Sequence, residues 1–465
     1  MSTAERSVAW NTAGRAYFEE LNKRLRVVYT GEGDEVDLDL EDPRTEAQGE
    51  QVIREVIELN RLGHAAKARE LFDPAYAPVF PWIKRNQHQA AFVTILGPDE
   101  LLVRRGAAWQ GDAAMFHLRG GEAMPVIGVM GACRSRNRDH LVLARPSGLE
   151  IRDARAGLGG TPVATIPWPE PSILRPTGMT QEQEDTWEEP SWPLQVEQLE
   201  VSDDGMRIAV SCYRQGILLA SRHRGEPTWQ RLLPQAQLAF HDDPGFAPSA
   251  GDMTHVAISR DGTRLAWGNQ SSPHFLGEVG PGGQVAHYAT VGNASEYPHY
   301  ACFSGDGDVV ALNSCHFYNG ATVAFAWPGN RGKELAAYEE HEEAPVIENS
   351  LRVYAACWLP KDVANAIVGR ETEHPGMFAL AGSGLLRIQL ATGPLGSAQG
   401  FGSSASSIDF CPESKRLALG SYSGFVHLYD PYEEELPGRI DGFRPRRELV
   451  RWALWKDLPH GPIRW

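Results

Sequence analysis

Apolar and polar residues alternate over short stretches along most of this chain, and one phrase recurs: apolar, x, apolar, Ser, x, Asp, Gly, x, x, apolar, Ala. It reads Leu199-Glu200-Val201-Ser202-Asp203-Asp204-Gly205-Met206-Arg207-Ile208-Ala209 and returns as Val256-Ala257-Ile258-Ser259-Arg260-Asp261-Gly262-Thr263-Arg264-Leu265-Ala266. A third copy ends in Ser304-Gly305-Asp306-Gly307-Asp308-Val309-Val310-Ala311. Period-two alternation predicts a strand, Asp-Gly a tight hairpin turn, and the second apolar run a strand that pairs back. The same grammar holds in Ala91 to Val103, where Gly97-Pro98-Asp99 makes the turn, and in Leu141 to Asp153. It holds again in Tyr354 to Trp358 with Gly384 to Ile388, and in Ser407 to Asp430. Asp204 to Asp261 spans 57 residues and Asp261 to Asp306 spans 45, so the period is loose and the excess lies in loops.

A strand–turn–strand unit repeated every 40 to 60 residues or so predicts a β-propeller. Counting such units over residues 80–432 predicts seven blades, so the expected fold is all-β, a seven-bladed propeller with an N-terminal α-helical segment. The last unit resembles a WD40 repeat, with Leu428-Tyr429-Asp430 where that family has Leu-Trp-Asp, and Ser147 to Asp153 is a poorer match. The Gly-His pair of a full WD40 repeat has no consistent counterpart, so the chain is WD40-like. The resemblance implies propeller architecture and a protein-binding role common to such scaffolds, with no chemistry attached.

The two ends read differently. In residues 1–75, Phe18, Leu21, Leu25 and Val28 recur at helical spacing, as do Val52, Val56, Leu59 and Ala66, the second helix running to Phe72-Asp73-Pro74. Leu59 to Phe72 resembles half of a tetratricopeptide hairpin, but one unit makes no solenoid, and a plain helical pair packed on the propeller is the preferred reading. Between the helices lies an acidic loop with Glu32, Asp34, Glu35, Asp37, Asp39, Glu41 and Asp42. The tail, 436–465, has seven basic residues against three acidic, a net of +4, and carries Trp452, Trp455 and Trp465. It is expected to pack on the propeller, and either Ala77-Pro78-Val79-Phe80 or Leu449 to Ala453 supplies the fourth strand missing from the last unit.

Composition narrows the function. A net charge of −16 over 465 residues argues against a nucleic-acid binder, which carries a basic footprint. Six cysteines lie singly in apolar stretches with no CxxC pair, which suits buried thiols in a reducing compartment. The N-terminus lacks a signal-peptide core, and no apolar run reaches membrane-span length, so a cytoplasmic, membrane-free and monomeric protein is expected. Asp34, Asp37 and Asp39 fail the spacing of an EF-hand calcium loop, and apolar residues intervene. His241-Asp242-Asp243 and Cys315-His316 each offer half a metal site with no second half in sight. Glu339-Glu340-His341-Glu342-Glu343 reads as a solvated charge run. No Gly-x-Ser-x-Gly elbow, phosphate loop or dinucleotide fingerprint occurs, so no catalytic residue, metal or cofactor is expected.

What remains is surface. Trp168, Trp187 and Trp192 lie in a Pro-rich acidic insert, 166–194, and aromatics on loops of a rigid scaffold are typical anchors. The leading expectation is a non-enzymatic interaction scaffold or specific inhibitor with a protein partner. The alternative is a propeller hydrolase or lyase with carboxylates and His at the central channel. Convergent acids with a metal would favour the enzyme, and an aromatic patch on one face the binder.

Overall fold

The structure is a computed structural model that describes residues 1–30, 37, 39–75, 84–85, 88–223, 226–240, 251–270, 272–291, 298–315, 320–326, 346–348, 353–371, 373, 375–389, 395–435, 446–456, 458 and 461–465. The first sheet holds β1 (Ala90–Gly97), β2 (Glu100–Arg105), β3 (Ala114–Arg119) and β4 (Glu122–Pro125). The second holds β5 (Gly131–Arg134), β6 (His140–Arg145), β7 (Gly148–Asp153) and β8 (Pro162–Pro167). The third holds β9 (Val196–Val201), β10 (Arg207–Cys212), β11 (Gly216–Ser221) and β12 (Thr228–Leu233). The fourth holds β13 (His255–Ile258), β14 (Arg264–Gly268), β15 (His274–Val279) and β16 (Val285–Val291). The fifth holds β17 (Pro298–Phe303), β18 (Val309–Cys315), β19 (Gly320–Ala326) and β20 (Val346–Glu348). The sixth runs through β21 (Val353–Pro360), β22 (Gly376–Gln389), β23 (Leu395–Cys411), β24 (Arg416–Ser421), β25 (Phe425–Glu434), β26 (Arg446–Ala453) and β27 (Ile463–Arg464).

Each sheet shares an apolar layer with the next. Leu102 meets Leu141 and Leu143 between the first and second sheets, and Val142 and Leu149 meet Val196 and Val210 between the second and third. Ile217 and Leu219 pack on Val256 and Leu265, Leu276 on Phe303 and Leu312, and Tyr300 and Cys302 on Phe378 and Leu380. Val93, Ile95 and Leu101 then pack on Ala418, Val426 and Trp452, which joins the first sheet to the last. The ring is therefore closed, an all-β propeller. Burial on both sheet faces explains why β11 is apolar or small throughout, with all six residues buried.

The expectation of seven separate blades is corrected to six sheets, five of four strands and one of seven among the described residues. The cause is β23. Its first half pairs back to β22, from Leu395 opposite Gln389 to Ser404 opposite Ser383. Its second half pairs with β24, from Ala405 opposite Ser421 to Cys411 opposite Arg416. One unbroken strand thus serves two partners, and the last two expected units merge.

The recurring phrase builds one turn three times. Ser202, Ser259 and Ser304 donate their hydroxyls to Asp204, Asp261 and Asp306 at 2.5, 2.6 and 2.5 Å. Each carboxylate also accepts the backbone N–H two residues on, from Met206, Thr263 and Asp308 at 2.9 to 3.0 Å. The glycines between sit at φ +67°, +71° and +77°, the left-handed region that side chains disfavour. At Gly262 an added Cβ would also lie 2.9 Å from the Ser202 Cβ. Gly262→Val is expected to lower stability by about 1–3 kcal/mol. Urea denaturation checks this, and an unchanged midpoint would show that the turn tolerates a side chain.

Helices α1 (Thr3–Thr30), α2 (Glu46–Arg61) and α3 (Ala65–Leu71) precede the ring. The expected second helix is split, because the chain turns at Gly63, φ +75°, before α3 begins. Thr45 and Gln48 form a capping box that starts α2. Val52, Ile53 and Val56 of α2, with Ala68 and Phe72, bury against Phe425, Trp455, Ile463 and Trp465. Strand β26 supplies the outer partner of β25, from Phe425 opposite Ala453 to Glu434 opposite Arg446. The other segment considered for that place, 77–80, lies outside the described residues, as do Glu32, Asp34 and Glu35 of the acidic loop.

Cys133, Cys212, Cys302, Cys357 and Cys411 are free thiols, and the side chain of Cys315 lies outside the described residues. No helix among the described residues is long and apolar enough to cross a membrane.

Candidate functional site

The antiparallel sheets give the central channel two unlike ends. Turns between first and second strands gather at one end. Turns between second and third strands, with the entries to the first strands, gather at the other. The cavity between them is about 670 Å³ and is lined by β1, β5, β9, β13, β17, β21 and the second half of β23.

The first end is crossed by arginines from the β5–β6 turn. Arg134 donates to the carbonyls of Ile95, Leu96 and Arg138 at 2.9, 3.2 and 2.9 Å. Arg136 reaches over to the fifth sheet, donating to Phe303 and Ser304 carbonyls at 2.5 and 3.2 Å. Arg138 holds Asp409 with both guanidinium nitrogens, at 3.0 and 2.8 Å, from a backbone at φ +64°. Innermost strands are sheet edges with unpaired carbonyls, and a guanidinium fork caps several at once. Deeper in the channel Arg104, buried, does the same for Met130, Val196 and Glu197 carbonyls at 2.9, 2.7 and 3.2 Å.

Two channel carboxylates stand away from such pairs. Burial pushes Glu200 up to about 7, against the pull of the Arg136 charge and a hydrogen bond from Gln198. Burial also raises Glu197, the nearby Arg104 charge lowers it, and Asp252 raises it further. A carboxyl at about 7, as Glu200 has, can trade a proton near neutrality. Among the described residues, no three His, Cys, Asp or Glu side chains are grouped to hold a metal ion. His241-Asp242-Asp243, His316 and Glu339 to Glu343 lie outside the described residues.

The second end is aromatic. Tyr213 and Tyr422 occupy equivalent places just past β10 and β24. Their backbone N–H groups donate to Gln195 at 3.0 Å and Ser404 at 2.8 Å, just ahead of the channel-lining strands. Trp109, in the β2–β3 turn, stacks on Tyr213 with ring centroids 5.7 Å apart. Tyr354 meets Tyr422 edge-on at 6.0 Å. Trp109, Tyr422 and Met253 remain 51, 43 and 42% exposed, large values for apolar side chains. Burial at the hydroxyl end, with Tyr354 and Glu197 beside it, pushes Tyr422 up to about 12. Arg214 lies over the Tyr213 ring and grips Asp252 with two bonds, at 2.5 and 2.9 Å.

The three tryptophans singled out from the sequence have different surroundings. Trp168 is half-buried, donates to the Arg145 carbonyl at 2.8 Å and packs on Trp229 with centroids 5.7 Å apart. Trp187 is half-buried at the end of α4 (Gln181–Thr186), and its buried Nε1 has no hydrogen-bond acceptor among the described residues. Trp192 is 36% exposed on the loop entering β9, which places it on the aromatic end. The sequence reading missed Trp109, Tyr213, Met253, Tyr354, Tyr422 and Glu197. A signal was present: an aromatic residue follows the second strand of its unit at Trp109, Tyr213 and Tyr422, each near small or turn-forming residues.

No protein-family model matches the chain, and neither does any curated protein. Among solved structures, the chain is similar to the β-propeller domain of Cps50 (Swd1) from Myceliophteria thermophila. That match has 12% identity, covers 71% of this chain and 92% of the other, and has a TM-score of 0.44.

Proposed function

We propose that this chain is a non-catalytic interaction protein that holds a protein partner on the aromatic end of its propeller. The observation that carries this is the exposed cluster of Trp109, Tyr422 and Met253 around the channel mouth. Large aromatics on short turns lose little entropy when bound and dominate the energetics of protein interfaces. The turns are fixed by backbone bonds to neighbouring strand entries, so the surface is already organised before a partner arrives. Trp192 on the same end extends this surface. Trp168 and Trp187 are proposed as its supports, since both are half-buried. The described free thiols support a reducing, cytoplasmic setting, and the monomer is the proposed binding unit.

Site-specific photo-crosslinking in the native cell tests this. A benzophenone side chain placed at Trp109 or Tyr422 is expected to yield one discrete protein adduct. The same group at Val163, 61% exposed on the outer strand β8, is expected to yield none. Adducts of equal strength at Val163, or none at the channel mouth, would overturn the reading.

A further inference from the structure

Resting on that docking surface, we propose that the channel mouth receives a cationic side chain, arginine or lysine, from the docked segment, seated between Glu197 and the ring of Tyr422. Glu197 projects from β9, a channel-lining strand, and its carboxylate takes part in no hydrogen bond or ion pair among the described residues. The other acid of the rim, Asp252, is already held by Arg214. Glu197 lines the same channel as Met253, Tyr354 and Tyr422, so its carboxylate stands in the cavity onto which those side chains open.

The groups around Glu197 explain the choice of a cation. The Arg104 charge acts on Glu197, yet its Nη1 and Nη2 are engaged by backbone carbonyls and it makes no ion pair with Glu197 among the described residues. A carboxylate in a recess gains most from a partner that brings both charge and donors. Aromatic faces carry negative quadrupole density, which favours a cation and disfavours an anion at the same spot. A net charge of −16 draws basic segments toward the protein.

The test uses the full chain and three capped tripeptides, acetyl-Gly-X-Gly-amide, with X arginine, lysine or citrulline. Binding is read by saturation-transfer NMR titration. The arginine or lysine peptide is expected to bind at least about tenfold more tightly than the neutral citrulline peptide, as one charge-assisted pair contributes. Glu197→Gln is expected to erase that preference while leaving citrulline binding and the melting temperature unchanged. Glu197→Asp, which keeps the charge, is expected to retain the preference. Equal binding of citrulline, a preference that survives Glu197→Gln, or no peptide binding at all would overturn the proposal. The two readings fail separately. A crosslinked adduct at Trp109 that is indifferent to Glu197→Gln sinks the cation site alone, whereas charge-selective peptide binding without any adduct sinks the docking partner alone.

Discussion

Truncation after Glu435 is expected to leave a chain with no cooperative melting transition. The lost segment contains β26 and β27 and three tryptophans, Trp452, Trp455 and Trp465, that are 2, 0 and 1% exposed. Trp455 donates to the Ser423 carbonyl at 3.0 Å, and Trp465 to that of Phe72 at 3.0 Å, so each ring is both packed and hydrogen-bonded. Replacing one buried tryptophan by alanine costs about 3–5 kcal/mol. Three such losses rival the entire stability of about 5–15 kcal/mol of an ordinary domain. Truncation also bares Phe425 and strips α2 and α3 of the surface they cover. Asn60 and Arg464 exchange two bonds, each 2.8 Å, and these go too.

Charge is the lesser part of this contact. The exposed pair between Arg447 and Glu433 contributes at most about 1 kcal/mol and is screened by salt. Glu448, buried between Arg451 and Arg69, is shielded from salt by the chain around it. Raising salt to about 1 M, where screening acts over about 3 Å, is therefore expected to shift the full-length melting temperature only slightly. Calorimetry of the full and truncated chains decides the matter. A truncated chain that melts like the full one would show that the tail closes nothing.

Asp409→Ala is expected to destabilise the ring by about 3–5 kcal/mol, the cost of removing one partner from a buried pair. Asp409 accepts from Arg138 at 2.8 and 3.0 Å, from the Thr94 hydroxyl at 3.0 Å and from the Ile95 N–H at 2.8 Å. One carboxylate thus ties β1, the β5–β6 turn and β23, the place where the ring closes. Without it Arg138, 5% exposed, keeps its charge and loses its only carboxylate contact among the described residues. Arg138→Ala is expected to cost less, because Asp409 keeps Thr94 and Ile95. The double variant is expected to recover part of the Asp409→Ala loss, as no cation is then left unpaired. Denaturant unfolding of the three variants measures this. Equal losses for both single variants with simple additivity would refute the coupling.

Much of this architecture could be read from local pattern. Ser-x-Asp-Gly carries its own turn: hydroxyl, carboxylate and the left-handed glycine act within six residues, so the three hairpins at Gly205, Gly262 and Gly307 are local facts. Runs such as Gly216 to Ser221 are buried on both faces, and their unbroken small and apolar character states as much. The number of sheets was not legible. Whether β23 breaks between Ser404 and Ala405 depends on partners on both sides of it, β22 and β24, and not on a turn residue at the junction.

The site escaped for the same reason. Trp168 has the composition of an anchor, yet its ring is held by Trp229 and by the Arg145 carbonyl, neighbours that only folding supplies. Tyr213 and Tyr422 look like ordinary turn residues until closure of the ring sets them at the same end of one channel. Arg134, Arg136 and Arg138 form a visible charged triplet, but their acceptors are carbonyls of β1 and β17 and a carboxylate on β23. By itself, then, the sequence determined the hairpins, the propeller class and the helical start, because alternation and turn chemistry act between near neighbours. Only the tertiary structure decided how the sheets join, which aromatics meet at the mouth, and that the Glu197 carboxylate has no hydrogen bond or ion pair among the described residues. Those outcomes depend on groups brought together from distant sheets, and a buried charge is satisfied or left alone by whatever the ring places beside it.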